Sequence, residues 1–305
     1  MRSKNVALAL ASGGPRGFAY IGAIEVLRER GYNITSVSGA SAGALVGGIY
    51  AAGGLDAFKE WLLALDPVKI VALMDISLSK NHLVKGERII AEIKRRVPEV
   101  NIEDLSIPFC AVATDLFTGE EVVFREGPLF EAIRASISIP SMFRPVKWHG
   151  RTLVDGGMVN TLPLDLAART PGDILVGFNV NQIDAGEIQG FLDSRAALEK
   201  EAEGHNLIAR IQAGFQARQM AADGKENWIP VGADDNFATI LQRSFGIMNS
   251  SIARMGIEKC PPDVLINLPY DSYHGVYGYS HASEIIQLGR ELTQQALDDY
   301  EKNND

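Results

Sequence analysis

Residues 37–45 read VSGASAGAL and contain Gly39-Ala40-Ser41-Ala42-Gly43, the pattern G-x-S-x-G. A serine hydroxyl attacks a carbonyl carbon only when a base removes its proton, so the pattern asks which side chain accepts it. The usual acceptor is a histidine oriented by a carboxylate. This chain has five histidines, His82, His149, His205, His274 and His281, and none stands at a spacing that marks a triad. Two further segments carry chemical potential. Ser12-Gly13-Gly14-Pro15-Arg16-Gly17 is a glycine loop, and Asp155-Gly156-Gly157 places a carboxylate before two glycines.

The elements around these segments predict an α/β fold. Val6 to Ala11 is a short apolar run that stops at the first loop, and the next residues have helical apolar spacing at Ala19, Ala23, Val26 and Leu27. Pro15 suits the first helical position and Gly31 ends the helix. Ile34 to Ser38 is a β-type run, Gly39 to Gly43 a turn, and Ala42 to Ala52 a helix of small residues. This alternation predicts a parallel or mixed sheet with helices on both faces and both glycine turns at the carboxyl ends of strands, where ligands bind in such sheets. Residues 108–115 and 121–124 flank a hairpin at Phe117-Thr118-Gly119, 129–140 is a helix stopped near Pro140, and 151–154 is a strand ending at Asp155. The nearly all-apolar stretch 173–180 reads as a central strand buried on both faces. Residues 184–240 turn polar and only weakly amphipathic, as expected of a flap, with Ile208, Ile211 and Phe215 its candidate peripheral membrane contacts. A late strand at 263–268 and an amphipathic closing helix at 281–300 complete one domain over 1–305.

Composition narrows the classes. The net charge is −9, and the basic residues form no block beyond Lys94, Arg95 and Arg96, so the electrostatic footprint of a nucleic-acid binder is missing. Cys110 and Cys260 stand far apart without Cys/His spacing, which argues against a disulfide framework and a zinc site and favours a reduced, cytoplasmic setting. Val6 to Ala11 is shorter than the apolar core of a signal peptide and reads as a first strand, and no apolar stretch approaches a membrane span.

A strand running into G-x-S-x-G and then a helix is the context of a nucleophile elbow, which makes Ser41 the candidate nucleophile. The loop 12–17, at a strand-to-helix junction, directs backbone N–H groups at an anion site. Alone it fits a phosphate loop or a plain turn. Beside an activated serine it reads as an oxyanion hole. Asp-Gly-Gly is equally an ordinary turn by its composition.

With these three motifs in this order, the chain resembles the patatin-like phospholipases, specifically the bacterial patatin-domain proteins, over roughly residues 5–180 with a weaker echo at 263–300. That family shows G-G-G-x-[RK]-G, G-x-S-x-G and D-G-[GA]. The stretches ATDLFTGE (113–120) and IRASISIPSMFRPV (133–146) also look like it. The resemblance implies a three-layer α/β/α fold and an acyl lipid hydrolase that needs no cofactor and no metal. It implies that Asp155 takes the proton of Ser41 directly, with no histidine between them. It further implies an oxyanion hole from the N–H groups of Gly13 and Gly14, assisted by Ala42 N–H and Arg16, with Gly17, Gly39, Gly43, Gly156 and Gly157 as motif glycines. Two residues depart from the pattern: Ser12 replaces the first loop glycine, and Pro15 has no N–H to donate. Acyl transfer to an acceptor other than water is the alternative, disfavoured because related transferases carry histidine where this chain has Ala40. A non-catalytic lipid-binding protein is disfavoured by the intact Ser41 and Asp155.

Overall fold

The structure, a computed structural model, describes residues 4–73, 86–140, 142–183, 237–270, 273 and 278–304. The expected flap therefore lies outside the described residues, including Ile208, Ile211 and Phe215, except for 237–240, which open a helix.

Strand β1 (Asn5–Leu10) is buried along nearly its whole length, as its unbroken apolar run requires when helices cover both faces of a sheet. After it come a 3₁₀ turn (Gly14–Phe18), α1 (Ala19–Glu29), β2 (Asn33–Ala40) and α2 (Ala42–Ala51). The sequence pattern predicts one helix from Pro15 onward. Instead the loop enters through the 3₁₀ turn, in which Pro15, lacking an N–H, occupies a first-turn position with no intrahelical bond to lose. Three helices follow, α3 (Leu55–Leu63), α4 (Pro67–Leu73) and α5 (Glu87–Lys94), and then the hairpin β3 (Phe109–Asp115) and β4 (Glu121–Phe124). Next are α6 (Leu129–Ser136), the hairpin β5 (Val146–Trp148) and β6 (Arg151–Asp155), β7 (Ile174–Gln182), α7 (Phe237–Lys259), β8 (Val264–Pro269) and α8 (Ala282–Asn303).

Strands β8, β7, β1, β2 and β3 lie side by side and parallel, and β4, β5 and β6 are antiparallel additions, so the sheet is mixed and mostly parallel. The stretch expected to be central, β7, is one strand in from the described edge, yet it is buried almost throughout because β1 and β8 flank it. The crossover helices α1 and α2 pack together, with α6 against α2 and α8 against α1, while α7 covers β7. One hydrophobic core runs through both layers.

The surroundings of β3 decide where the site forms. Its residues 109–112 pair with β2, 113–115 with β6 and 111–114 with β4. Because β4 overlaps both of the others in register, it must occupy the opposite edge. Strands β2 and β6 therefore share one edge of β3 in succession, approaching from opposite directions. β2 ends at Ala40 beside Val112, and β6 ends at Asp155 beside Ala113, one residue further along.

Candidate active site

Where β2 stops, the chain turns through Ser41 into α2. Ser41 has φ 52° and ψ −117°, a backbone that a residue with a side chain adopts only when its neighbours hold it there. Its N–H donates to Ser136 Oγ at 2.8 Å, and Ser136 Oγ donates in turn to the Val112 carbonyl at 2.6 Å. The flanking glycines allow the turn: a Cβ at Gly39 would lie 2.4 Å from the Gly43 carbonyl carbon, and one at Gly43 would lie 2.1 Å from the Leu10 carbonyl oxygen.

Asp155 arrives from the opposite direction at the same level. Ser41 Oγ donates to Asp155 Oδ2 at 2.5 Å. The other carboxylate oxygen accepts from Gly157 N–H at 2.8 Å and from Ser12 Oγ at 3.4 Å. The backbone of Asp155 is fixed as well, its N–H donating to the Ser138 carbonyl and its carbonyl accepting from Thr114 Oγ1, both at 2.9 Å. Ser41 and Asp155 are only 2% and 4% exposed. Burial pushes the Asp155 carboxyl up to about 6, against the pull of its hydrogen bonds from Ser41, Gly157 and Ser12. At neutral pH it is therefore still ionised, and a stronger base than a free carboxylate. Neither described histidine is a partner of Ser41 or Asp155. His149 lies in the β5–β6 turn against Trp148, and His281 precedes α8 beside Glu284 and Tyr273. His82, His205 and His274 lie outside the described residues.

The glycine loop closes the third side. Ser12 N–H donates to the Thr161 carbonyl at 2.8 Å, Gly13 caps the 3₁₀ turn, and Gly14 takes the left-handed backbone at φ 56°. Gly13 and Gly14 stand at the start of the turn and Ala42 is the first residue of α2, so their amides belong to first turns, where N–H groups lack intrahelical acceptors and the helix dipole favours negative charge. Gly17 lets the turn approach α2, since a Cβ there would come 2.4 Å from the Ala42 Cβ. Gly156 passes equally close to the Val112 carbonyl. Arg16 is buried, and its guanidinium donates to the carbonyls of Val180 at 2.9 Å and Tyr270 at 3.0 Å and to Asn181 Oδ1 at 3.4 Å while stacking on the Tyr270 ring. Its side chain fastens the loop to the ends of β7 and β8.

A profile of the patatin-like phospholipase family matches residues 8–168. The chain belongs to that family. Patatin-like phospholipase membership supports lipid acyl hydrolase activity in general. An NTE family protein of Mycobacterium tuberculosis is 35% identical over 339 aligned residues, covering 99% of this chain and 94% of its own. A patatin-like phospholipase domain-containing protein of Caenorhabditis elegans is 31% identical over 63% of this chain and 15% of its own. The crystal structure of VipD from Legionella pneumophila covers 98% of this chain and 67% of its own, with a TM-score of 0.46 and 14% identity. Within this patatin-like site, reading by motif passed over Ser136, Ser138 and Thr114. The first two sit in the stretch IRASISIP, where two serines at alternate positions of an otherwise apolar run were the available signal.

An apolar cavity lies against the first turns of α2 and the end of the 3₁₀ turn, through Leu45 and Phe18. Its walls include Leu45, one helical turn after Ser41, with Phe18, Phe58, Trp61, Ile93, Phe143 and Tyr279. A second cavity, between Val37, Phe109 and Arg125, lies at the amino end of β3 beside the middle of β2, away from the motifs at the carboxyl ends. Among the described residues no helix is long and apolar enough to cross a membrane.

Proposed function

We propose that the protein hydrolyses acyl esters of lipids through a Ser41–Asp155 dyad. Asp155 Oδ2 accepts the proton of Ser41 Oγ as that oxygen bonds to the ester carbonyl carbon. The resulting oxyanion is held by the N–H groups of Gly13 and Gly14, with Ala42 N–H assisting. Collapse breaks the bond to the leaving alcohol, whose oxygen takes the proton from Asp155 and leaves an acyl-serine. Water then attacks the acyl carbon and gives its proton to Asp155. The second collapse frees the fatty acid and returns that proton to Ser41 Oγ. The cavity beside Leu45 offers apolar walls for the acyl chain.

The observation that carries this reading is the 2.5 Å hydrogen bond from a serine in a strained strand-to-helix turn to a buried carboxylate. Hydrolysis of a short nitrophenyl ester and labelling by a fluorophosphonate probe test it. Both are expected from the natural chain and from neither Ser41→Ala nor Ser41→Gly. Labelling of Ser41→Ala at the level of the natural chain refutes the assignment.

A further inference from the structure

Asp155 has two carboxylate oxygens, and only Oδ2 faces the serine. For the dyad to work, Oδ1 must be held so that the carboxylate does not rotate or take the proton on the wrong oxygen. Gly157 N–H supplies one hydrogen bond to Oδ1. The second, longer at 3.4 Å, comes from Ser12, the residue that stands where the family motif has a glycine.

Ser12 is placed with more care than a loop serine needs. It is 5% exposed. Its N–H donates to the Thr161 carbonyl at 2.8 Å, and its own carbonyl accepts from Asn181 Nδ2 at 2.6 Å. Both Thr161 and Asn181 are fully buried. Thr161 is also tied to the carboxylate turn, because its hydroxyl donates to the Gly157 carbonyl at 2.8 Å. Asn181 is tied to the loop clamp, because its side-chain oxygen accepts from Arg16. A Cβ at Gly157 would lie 2.6 Å from Ser12 Oγ, so the absent side chain at 157 is what makes room for the hydroxyl at 12.

We infer that Ser12 is a positioning residue for the general base: its hydroxyl, with Gly157 N–H, fixes Asp155 Oδ1 and so holds Oδ2 on Ser41 in its ionised form. The inference rests on the dyad reading above. A hydrogen bond to the charged form of a carboxyl favours that form, which is the direction in which Ser12 acts on Asp155. Other groups around the carboxylate leave this task to the hydroxyls and the amide. Arg16 is bound to Val180, Tyr270 and Asn181, and Arg134 from α6 to Ser138 and the Arg144 carbonyl. Asp115 at the end of β3 pairs with Arg151, and His281 with Glu284. The Tyr279 phenol, pushed up to about 12 by burial and by the Asp155 charge, stays neutral over the range in which Asp155 titrates.

The test is the pH profile of kcat/KM on a short soluble nitrophenyl ester for the natural chain, Ser12→Ala, Ser12→Gly, Asp155→Asn and the Ser12→Ala/Asp155→Asn double variant. Losing one donor to the charged form is expected to move the acid limb of Ser12→Ala upward by about 0.5 to 1 pH unit, which is about a three- to tenfold loss at pH 5 and little loss on the alkaline plateau. On the Asp155→Asn background, Ser12→Ala is expected to cause no further loss. An unmoved acid limb, an equal fractional loss at every pH, or full additivity in the double variant overturns the inference. If Ser12→Ala does not fold, Ser12→Gly, which restores the family residue, is read by the same criteria. Wild-type rates from Asp155→Asn would overturn the dyad itself, a result separable from an unmoved acid limb in a chain whose dyad holds.

Discussion

Replacing the base should make the protein more stable while it removes the activity. Asp155 is 4% exposed, and its carboxyl rises from an ordinary 3.8 to about 6, with burial as the leading cause. A carboxyl whose folded-state value is raised adds stability that is fully present below about pH 4 and is lost as the pH climbs through about 6. The native state holds the proton more tightly than the unfolded chain over that window. A shift of about 2 units corresponds to about 3 kcal/mol at pH 8. An asparagine in place of Asp155 would fit the same bonds, since its side-chain oxygen can accept from Gly157 N–H and Ser12, and its amide can donate to Ser41 Oγ. Asp155→Asn is therefore expected to gain about 1–3 kcal/mol in urea denaturation at pH 8 and less than about 0.5 kcal/mol at pH 4. Its acylation rate should fall by about 10²- to 10⁴-fold. A variant that is no more stable than the natural chain at pH 8, or that gains equally at both pH values, refutes the claim that the carboxylate is held charged at a cost.

Three further outcomes follow from the geometry. Gly43→Ala brings a Cβ to 2.1 Å from the Leu10 carbonyl, backbone against backbone, and is expected to destabilise by at least about 2 kcal/mol in urea; a loss under about 0.5 kcal/mol contradicts the close packing of α2 on β1. Leu45→Trp fills the apolar cavity and should lower the preference for dodecanoyl over butanoyl esters by about tenfold, whereas unchanged selectivity means that the chain binds elsewhere. Each of the five histidines replaced singly by Gln should keep most ester turnover, and one folded variant as inactive as Ser41→Ala would make that histidine the base.

The alternation of glycine turns with strands and helices was enough to place Ser41 and the loop 12–17 at the carboxyl edge of a mostly parallel sheet. Asp155 was harder, because Asp-Gly-Gly is a common turn, and only the family resemblance gave it a role. What brings it to the serine is the shared edge of β3. That is a long-range pairing between residues 109–115 and two strands running in opposite directions, and no local spacing encodes it. The supporting serine at 136 escaped for a related reason: its partners are backbone groups of Ser41 and Val112, 95 and 24 residues away. Ser138 holds Asp155 through its own carbonyl, which any residue type supplies, and its hydroxyl bonds Arg134 four residues back. Residues 55–94 supply much of the cavity wall, but their apolar residues become a pocket only once α3 and α5 stand against Leu45 and Phe18.

Arg16 has a consequence for how the protein is made. The loop that it anchors leaves the ribosome well before the carbonyl of Tyr270 that completes its clamp, which lies 254 residues further along the chain. At roughly 5–20 residues per second, that separation is roughly 13–50 s of synthesis. Val180 and Asn181 emerge earlier and supply two of the clamp's partners, so until Tyr270 emerges the loop beside Ser41 and Asp155 has only part of its anchor. The full geometry of the proposed site is thereby reached only after Tyr270 has been made.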